Sequence, residues 1–239
     1  MPGGGPAAEG SASATAPSPT GRPVLLVHGI LGQRHLYWNL FRRRLEEAGF
    51  GVREVNLPFV LLGDIRRAAG VLAQAVDAAR AATGSEHVDI VAHSAGGLVA
   101  RYYVQALGGD ARVRHLVLLG TPHRGTLASF LLPVVRVAVQ ASPGSRFLGE
   151  LDAKPMPDSV QVTNFWSPLD GIVIPAENSV LRAPGVRNVE LRRMHHWGFL
   201  VSRAVCDQVK AVLQGTPAPT RSTPRRLAQG RGAPRPRGR

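Results

Sequence analysis

Val88-Asp89-Ile90-Val91-Ala92-His93-Ser94-Ala95-Gly96-Gly97-Leu98-Val99 is the stretch on which the fold turns. Val88–Val91 is a short, nearly continuous apolar run, the signature of a strand covered on both faces. A helical pattern opens directly at Ala95. Between them stands Ser94, with small residues two positions to either side, Ala92 and Gly96. A serine projecting from so tight a strand-to-helix turn requires this, because larger neighbours at ±2 would collide. Alanine at position 92, where glycine is the commoner choice, is still small enough. The helix start also aims its positive end at the place where a bound carbonyl would gather negative charge. The plainer reading of Ser94 is an ordinary N-cap.

Outward from this turn the chain alternates strand and helix. Val24–His28, Val52–Asn56, Val113–Leu119, Val160–Phe165 and Asn188–Leu191 read as further strands. Tyr37–Ala48 is amphipathic, with Leu40, Phe41 and Leu45 opposite Arg42, Arg43, Arg44, Glu46 and Glu47, and Gly49 ends it. Asp64 suits an N-cap for a helix from Ile65 to about Ala82; Ala95–Leu107 and Phe199–Leu213 complete the helices. Strands separated by helices imply βαβ units, hence an α/β fold: a mostly parallel twisted sheet of about six strands with helices on both faces. The stretch 124–157 breaks the rhythm. Its apolar part, Leu127–Val139, is either a small cap segment over an apolar pocket, with Pro143-Gly144 as a break, or a crossover helix lying on the sheet.

With 239 residues, 44% hydrophobic and 19% charged, the chain can bury a core. The formal charge of +13 is unevenly placed. Residues 214–239 carry seven arginines and no acid, residues 1–22 are neutral overall, and 23–213 keep +6. Three regions follow: a Gly/Ala/Pro/Ser-rich head (1–22) expected to be disordered, one folded domain (23–213), and a disordered Arg/Pro-rich tail (214–239). No nucleic-acid partner is expected for the core, whereas the tail is either a tether to an anionic surface or a solvated extension. No charged, apolar leader precedes Val24, so a cytoplasmic monomer is expected, with secretion the alternative if the true start lies upstream. The single cysteine, Cys206, excludes an intrachain disulfide. No H-E-x-x-H, C-x-x-C or phosphate-cradling glycine loop occurs, so neither metal nor cofactor is expected.

Several motifs in order carry a resemblance: Val27-His28-Gly29-Ile30, Ala92-His93-Ser94-Ala95-Gly96-Gly97, Gly120-Thr121-Pro122-His123-Arg124-Gly125, Ser167-Pro168-Leu169-Asp170-Gly171-Ile172-Val173 and His196-Trp197-Gly198-Phe199-Leu200. Over residues 23–213 the chain resembles an α/β-hydrolase of the bacterial lipase/esterase family, close to the small triacylglycerol lipases in which alanine opens the serine turn. The resemblance implies hydrolysis of carboxylic esters without a cofactor, acting on a small acyl ester or a lipid.

On such a fold the catalytic order is serine, acid, histidine. Ser94 would be the nucleophile. Asp170 follows the fifth strand and precedes both late histidines; Glu177 is its competitor in the same loop, while Asp152 and Asp158 come too early. His195 and His196 both stand where the base should be, and the family pattern, a base directly before an apolar residue and a glycine, selects His196. The oxyanion donors would be the backbone N–H groups of Ala95 and, by resemblance, Ile30, with Gly29 allowing close approach. The resemblance also implies that His28 and His123 line the site, and Trp197 with Leu127–Val139 would set its depth. Asp89 reads as a structural residue of its strand. An acyltransferase or thioesterase could use the same three residues, and a non-catalytic binding protein with a polyanion-binding tail is the alternative from another class.

Overall fold

The structure is a computed structural model that describes residues 22–30, 32 and 38–216. The expectations for the head and tail fall outside these residues, apart from Arg22 and residues 214–216. Six strands form one parallel sheet in the order β2-β1-β3-β4-β5-β6. They are β1 (Pro23–Val27), β2 (Gly51–Val55), β3 (Val88–His93), β4 (Val113–Leu119), β5 (Gln161–Trp166) and β6 (Arg187–Glu190).

Alternation along each strand splits the core in two. Leu25 and Val27 of β1, Ile90 and Ala92 of β3 and Leu116 and Leu118 of β4 face one side. There they pack on α2 (Ile65–Thr83), α3 (Ala95–Ala106) and α5 (Arg146–Asp152). Val24, Leu26, Val91, Val117 and Leu119 face the other side, against α1 (Asn39–Glu47) and α7 (Arg203–Leu213). Both faces are covered, which is why the strands read as apolar runs. In α2, Ile65, Ala68, Ala69, Leu72, Val76 and Ala79 are buried at helical spacing, and the Asp64 side chain accepts from the Arg66 N–H at 2.8 Å, as the capping argument requires. Cys206 is buried in the second core, and burial pushes its thiol up to about 11.

Two expected helices are divided. The closing helix is α6 (Gly198–Val201) and α7, parted at Ser202, whose extended backbone lets its hydroxyl accept from the Val205 N–H at 3.3 Å. A serine that can cap competes with helix continuation, and here the cap wins. Leu127–Val139 is neither of the single helices considered for it. It forms a short 3-10 turn over Leu127–Leu131 and then α4 (Arg136–Gln140). Phe130, Leu131 and Val134 stand out in solvent, whereas Val137 and Ala138 are buried. One apolar run thus serves two environments, which composition alone does not separate. No helix among the described residues is long and apolar enough to cross a membrane.

Candidate active site

The C-terminal edge of a parallel sheet is where loops can converge on a ligand, and the residues singled out by sequence gather there. β3 ends at His93, and Ser94 takes φ 55°, ψ −133°, a region unfavourable for a non-glycine residue. Strain of this kind costs about 1–3 kcal/mol. Full burial of the neighbouring Leu98 and Val99, each worth a similar amount, offsets it. The turn is also pinned by the Ser94 N–H donating to Leu119 of β4 and the Gly97 N–H donating to the Ser94 carbonyl, both at 2.9 Å. The small residues have concrete neighbours. A Cβ on Gly96 would strike the carbonyl oxygens of His28 and Val27, and one on Gly97 would strike the Thr121 side chain. The loop leaving β1, with Gly29 and Ile30, therefore lies directly against the start of α3.

Asp170 and His196 meet across two loops. The His196 Nδ1–H donates to both carboxylate oxygens of Asp170 at 2.9 Å, and both residues are buried. Asp170 is held in turn: its Oδ1 accepts from the N–H groups of Ile172 (3.0 Å) and Val173 (2.8 Å). The His196 N–H donates to the Asp170 carbonyl at 2.9 Å. Ser167 ties the two loops together, its hydroxyl accepting from Leu169 at 3.1 Å and Met194 at 3.3 Å. With Nδ1 donating to the carboxylate, Nε2 of a neutral His196 is the basic nitrogen.

The competitors lie elsewhere. His195 is exposed, its Nδ1–H donating to the Leu169 carbonyl at 3.1 Å, and Glu177 is exposed in a 3-10 turn. Asp152 pairs with Arg101 of α3 at 3.0 Å, and Asp89 pairs with His115 at 2.9 Å. Ser94 is half-buried, and among the described residues its hydroxyl makes no hydrogen bond, either as a cap or to His196. The structure thus brings acid and histidine into contact and sets the serine beside them through its neighbour, His93.

His93, which directly precedes the serine, is not among the site residues expected from sequence. It is fully buried, its ring centroid lies 4.6 Å from that of His196, and its Nε2–H donates to the His196 carbonyl at 3.0 Å. Burial, reinforced by the proximity of His196, holds its imidazole well below the usual histidine range, so it is neutral and available as a donor. Adjacency to Ser94 was the available signal. Trp197 stands edge-on to His196 at 5.7 Å and is half exposed. His28 closes the β1 exit: its Nδ1–H donates to the Gly29 carbonyl at 2.7 Å, while Nε2 accepts from the Leu57 N–H at 3.4 Å. Burial lowers its pKa. His123 is different. Its ring nitrogens are taken by Arg101 (3.4 Å) and Asn164 (3.1 Å), and none of its ring contacts reaches Ser94, Asp170 or His196. The expectation that it lines the site gives way to a place in a buried polar network under α3.

Beyond the Leu57 tie, the loop through Pro58 and Leu61 borders a cavity of about 750 Å³, lined also by Ala68, Val71 and the charged Asp64, Arg66, Arg67 and Arg136. Among the described residues, no group of three or more His, Cys, Asp or Glu could hold a metal ion.

Two relatives named triacylglycerol lipase, from Pseudarthrobacter phenanthrenivorans and Burkholderia plantarii, are 34% identical over 121 residues, 48% of this chain. The match covers 37% and 33% of those proteins, so the chain spans about a third of the length of the curated relatives it matches. Among solved structures, Aspergillus fumigatus lipase B superposes with a TM-score of 0.74 at 20% identity, over 87% of this chain and 56% of that one. The mature Bacillus licheniformis lipase BlEst2 superposes with a TM-score of 0.68 at 16% identity, over 83% and 93%. At such identities the likeness is one of fold. The family model described as alpha/beta hydrolase fold matches residues 22–182, and with that match, the six-stranded parallel sheet and the strained serine at the end of its third strand, this chain belongs to the alpha/beta hydrolase family.

Proposed function

We propose that the chain is a serine hydrolase of carboxylic esters, with Ser94 as nucleophile, His196 as base and Asp170 as the carboxylate that orients it. The observation that carries this reading is the buried Asp170–His196 pair, both carboxylate oxygens 2.9 Å from Nδ1, beside the strained Ser94 turn. The relatives named triacylglycerol lipase support the same chemistry, and acyl esters, lipids included, are the proposed substrates.

Ser94 Oγ attacks the ester carbonyl carbon as His196 Nε2 takes its proton. The tetrahedral oxyanion is held by the backbone N–H groups of Ala95 and Ile30, and loss of one such donor typically costs about 10²–10³ in rate. Asp170 steadies the imidazolium. Collapse expels the alcohol, which receives the proton from His196. Water, deprotonated by His196, then attacks the acyl-enzyme, releasing the carboxylic acid and returning the proton to Ser94. The hydroxyl–imidazole hydrogen bond absent from the free site forms in the loaded complex. Trp197, edge-on to the His196 ring, borders the ester. The test is hydrolysis of p-nitrophenyl esters from acetate to palmitate, with and without emulsified substrate, by the wild type and Ser94→Ala. Turnover by the wild type alone is expected; equal rates for the two proteins contradict the proposal.

A further inference from the structure

A second cavity, of about 300 Å³, lies under α3, bordered by α5 and by the loop that precedes β6. Its lining includes Arg101, His123, Arg124, Asp152, Lys154 and Arg182. Four of these are cations and one is an acid. His123 adds no charge: burial, with Arg101 beside it, lowers its pKa well below the usual histidine range, and its Nδ1 accepts from Arg101.

Arg101 is the fixed part of this arrangement. Its side chain is only 2% exposed. The guanidinium is held on three sides, by Gln105 at 3.1 Å, His123 at 3.4 Å and Asp152 at 3.0 Å. Among the described residues Asp152 is its sole carboxylate partner, and it is half exposed. A buried guanidinium held this way is pre-organised to meet oxygen acceptors, at little further loss of side-chain freedom.

The other three cations come from separate segments: Arg124 from the loop after β4, Lys154 from just beyond α5, and Arg182 from the loop before β6. All three side chains are exposed at the cavity rim, and among the described residues none of them has a hydrogen bond or an ion pair. Gathering unpaired like charges around one concavity is unfavourable unless an anion joins them, and a concave wall of one sign concentrates such anions.

We propose that this cavity is a binding site for a small, multiply charged oxyanion of the phosphate class, seated on Arg101 and enclosed by Arg124, Lys154 and Arg182. The site lies apart from the Ser94 turn and does not depend on the ester-hydrolase reading. The phosphate can come from a soluble phosphorylated compound or from a lipid headgroup.

The experiment is isothermal titration of the full chain with inorganic pyrophosphate at about 0.15 M salt, where distant surface charges are largely screened. Three proteins are compared: the wild type, the double variant Lys154→Glu/Arg182→Glu, and Arg43→Glu/Arg53→Glu. The last makes the same change of net charge on exposed side chains outside the cavity. One site is expected in the wild type, with Kd raised at least about tenfold, equivalent to 1.4 kcal/mol, only in Lys154→Glu/Arg182→Glu. Circular dichroism and the thermal midpoint, read in parallel, report folding of each variant. Sedimentation with phosphatidylcholine vesicles containing phosphatidate separates the sources. Retention lost in the cavity variant assigns the headgroup, retention unchanged assigns a soluble compound, and either keeps the site. Absent wild-type binding, or equal weakening by the two variants, overturns it.

Discussion

Among the described residues two histidine–aspartate pairs are buried at the same distance, in different settings. In both, the histidine Nδ1 lies 2.9 Å from an aspartate oxygen. Asp89 and His115 are register partners near the starts of β3 and β4. There Asp89 also accepts from the His115 N–H at 3.2 Å and from Arg22 at 3.4 Å. His115 Nε2 is buried with no hydrogen-bond partner. Asp170 and His196 sit on loops past the other end of the sheet, beside a serine in a strained turn. The dyad geometry is shared. What separates them is the edge of the sheet they occupy and what faces the second ring nitrogen: packed core in one case, the edge where the Ser94 turn lies in the other. A buried Asp–His contact is therefore no sign of catalysis until its surroundings are known.

Substitution at each end of the sheet sharpens that contrast. Ser94→Ala is expected to lower kcat for ester hydrolysis by about 10⁶, the scale of nucleophile loss in another serine hydrolase, measured with p-nitrophenyl esters. Asp170→Asn should lower kcat by about 10⁴ through the wrong histidine tautomer, with little change in thermal midpoint. Asp89→Asn should do the reverse. Activity per folded molecule stays within a few-fold, while stability falls by about 3 kcal/mol because Arg22 loses its carboxylate partner and His115 the charge it faces. Denaturant titration and turnover together read the split, and a large kcat loss for Asp89→Asn would erase the distinction.

His93 tests the boundary between the two roles. His93→Phe keeps a ring against His196 but leaves the His196 carbonyl without its donor. An unmet buried carbonyl costs about 1–3 kcal/mol, so kcat should drop about tenfold with KM unchanged. His93→Gln, which can still donate, should recover most of the loss.

The smallest effect is a pH slope. His28, His93 and His123 all have pKa values lowered by burial, so the unfolded chain binds protons that the folded chain refuses. Their contribution to stability is complete above the ordinary histidine value of about 6.5 and is lost as pH falls through the lowered folded values. The thermal midpoint should decline from pH 7 to 5, and His123→Gln should flatten the decline.

How much of this the sequence carried depends on how local each cause is. The Asp64 cap rests on a contact two residues away, and the Ser94 turn and the βα rhythm show as local patterns of small and apolar residues; all appear where the residues predict them. The choice of His196 over His195 needed the family pattern, because which of two adjacent side chains turns inward is decided by the His196–Asp170 backbone bond, 26 residues apart in the chain. The placement of His93 against His196 spans 103 residues and has no local trace beyond adjacency to Ser94. His123 was misplaced for the same reason: its partners, Arg101 and Asn164, lie on a helix and a strand that only the tertiary fold brings together. The division of Leu127–Val139 between solvent and core likewise follows from what packs beneath it, not from its largely apolar composition.

The central claim is that Ser94 forms a covalent acyl-enzyme with His196 as its base. Reaction of the full chain with a fluorophosphonate, followed by intact-mass and peptide mapping, tests it most directly. One adduct per chain is predicted, on Ser94, abolished in Ser94→Ala and strongly slowed in His196→Ala. An unmodified chain after prolonged exposure, or an adduct on another residue, would contradict it.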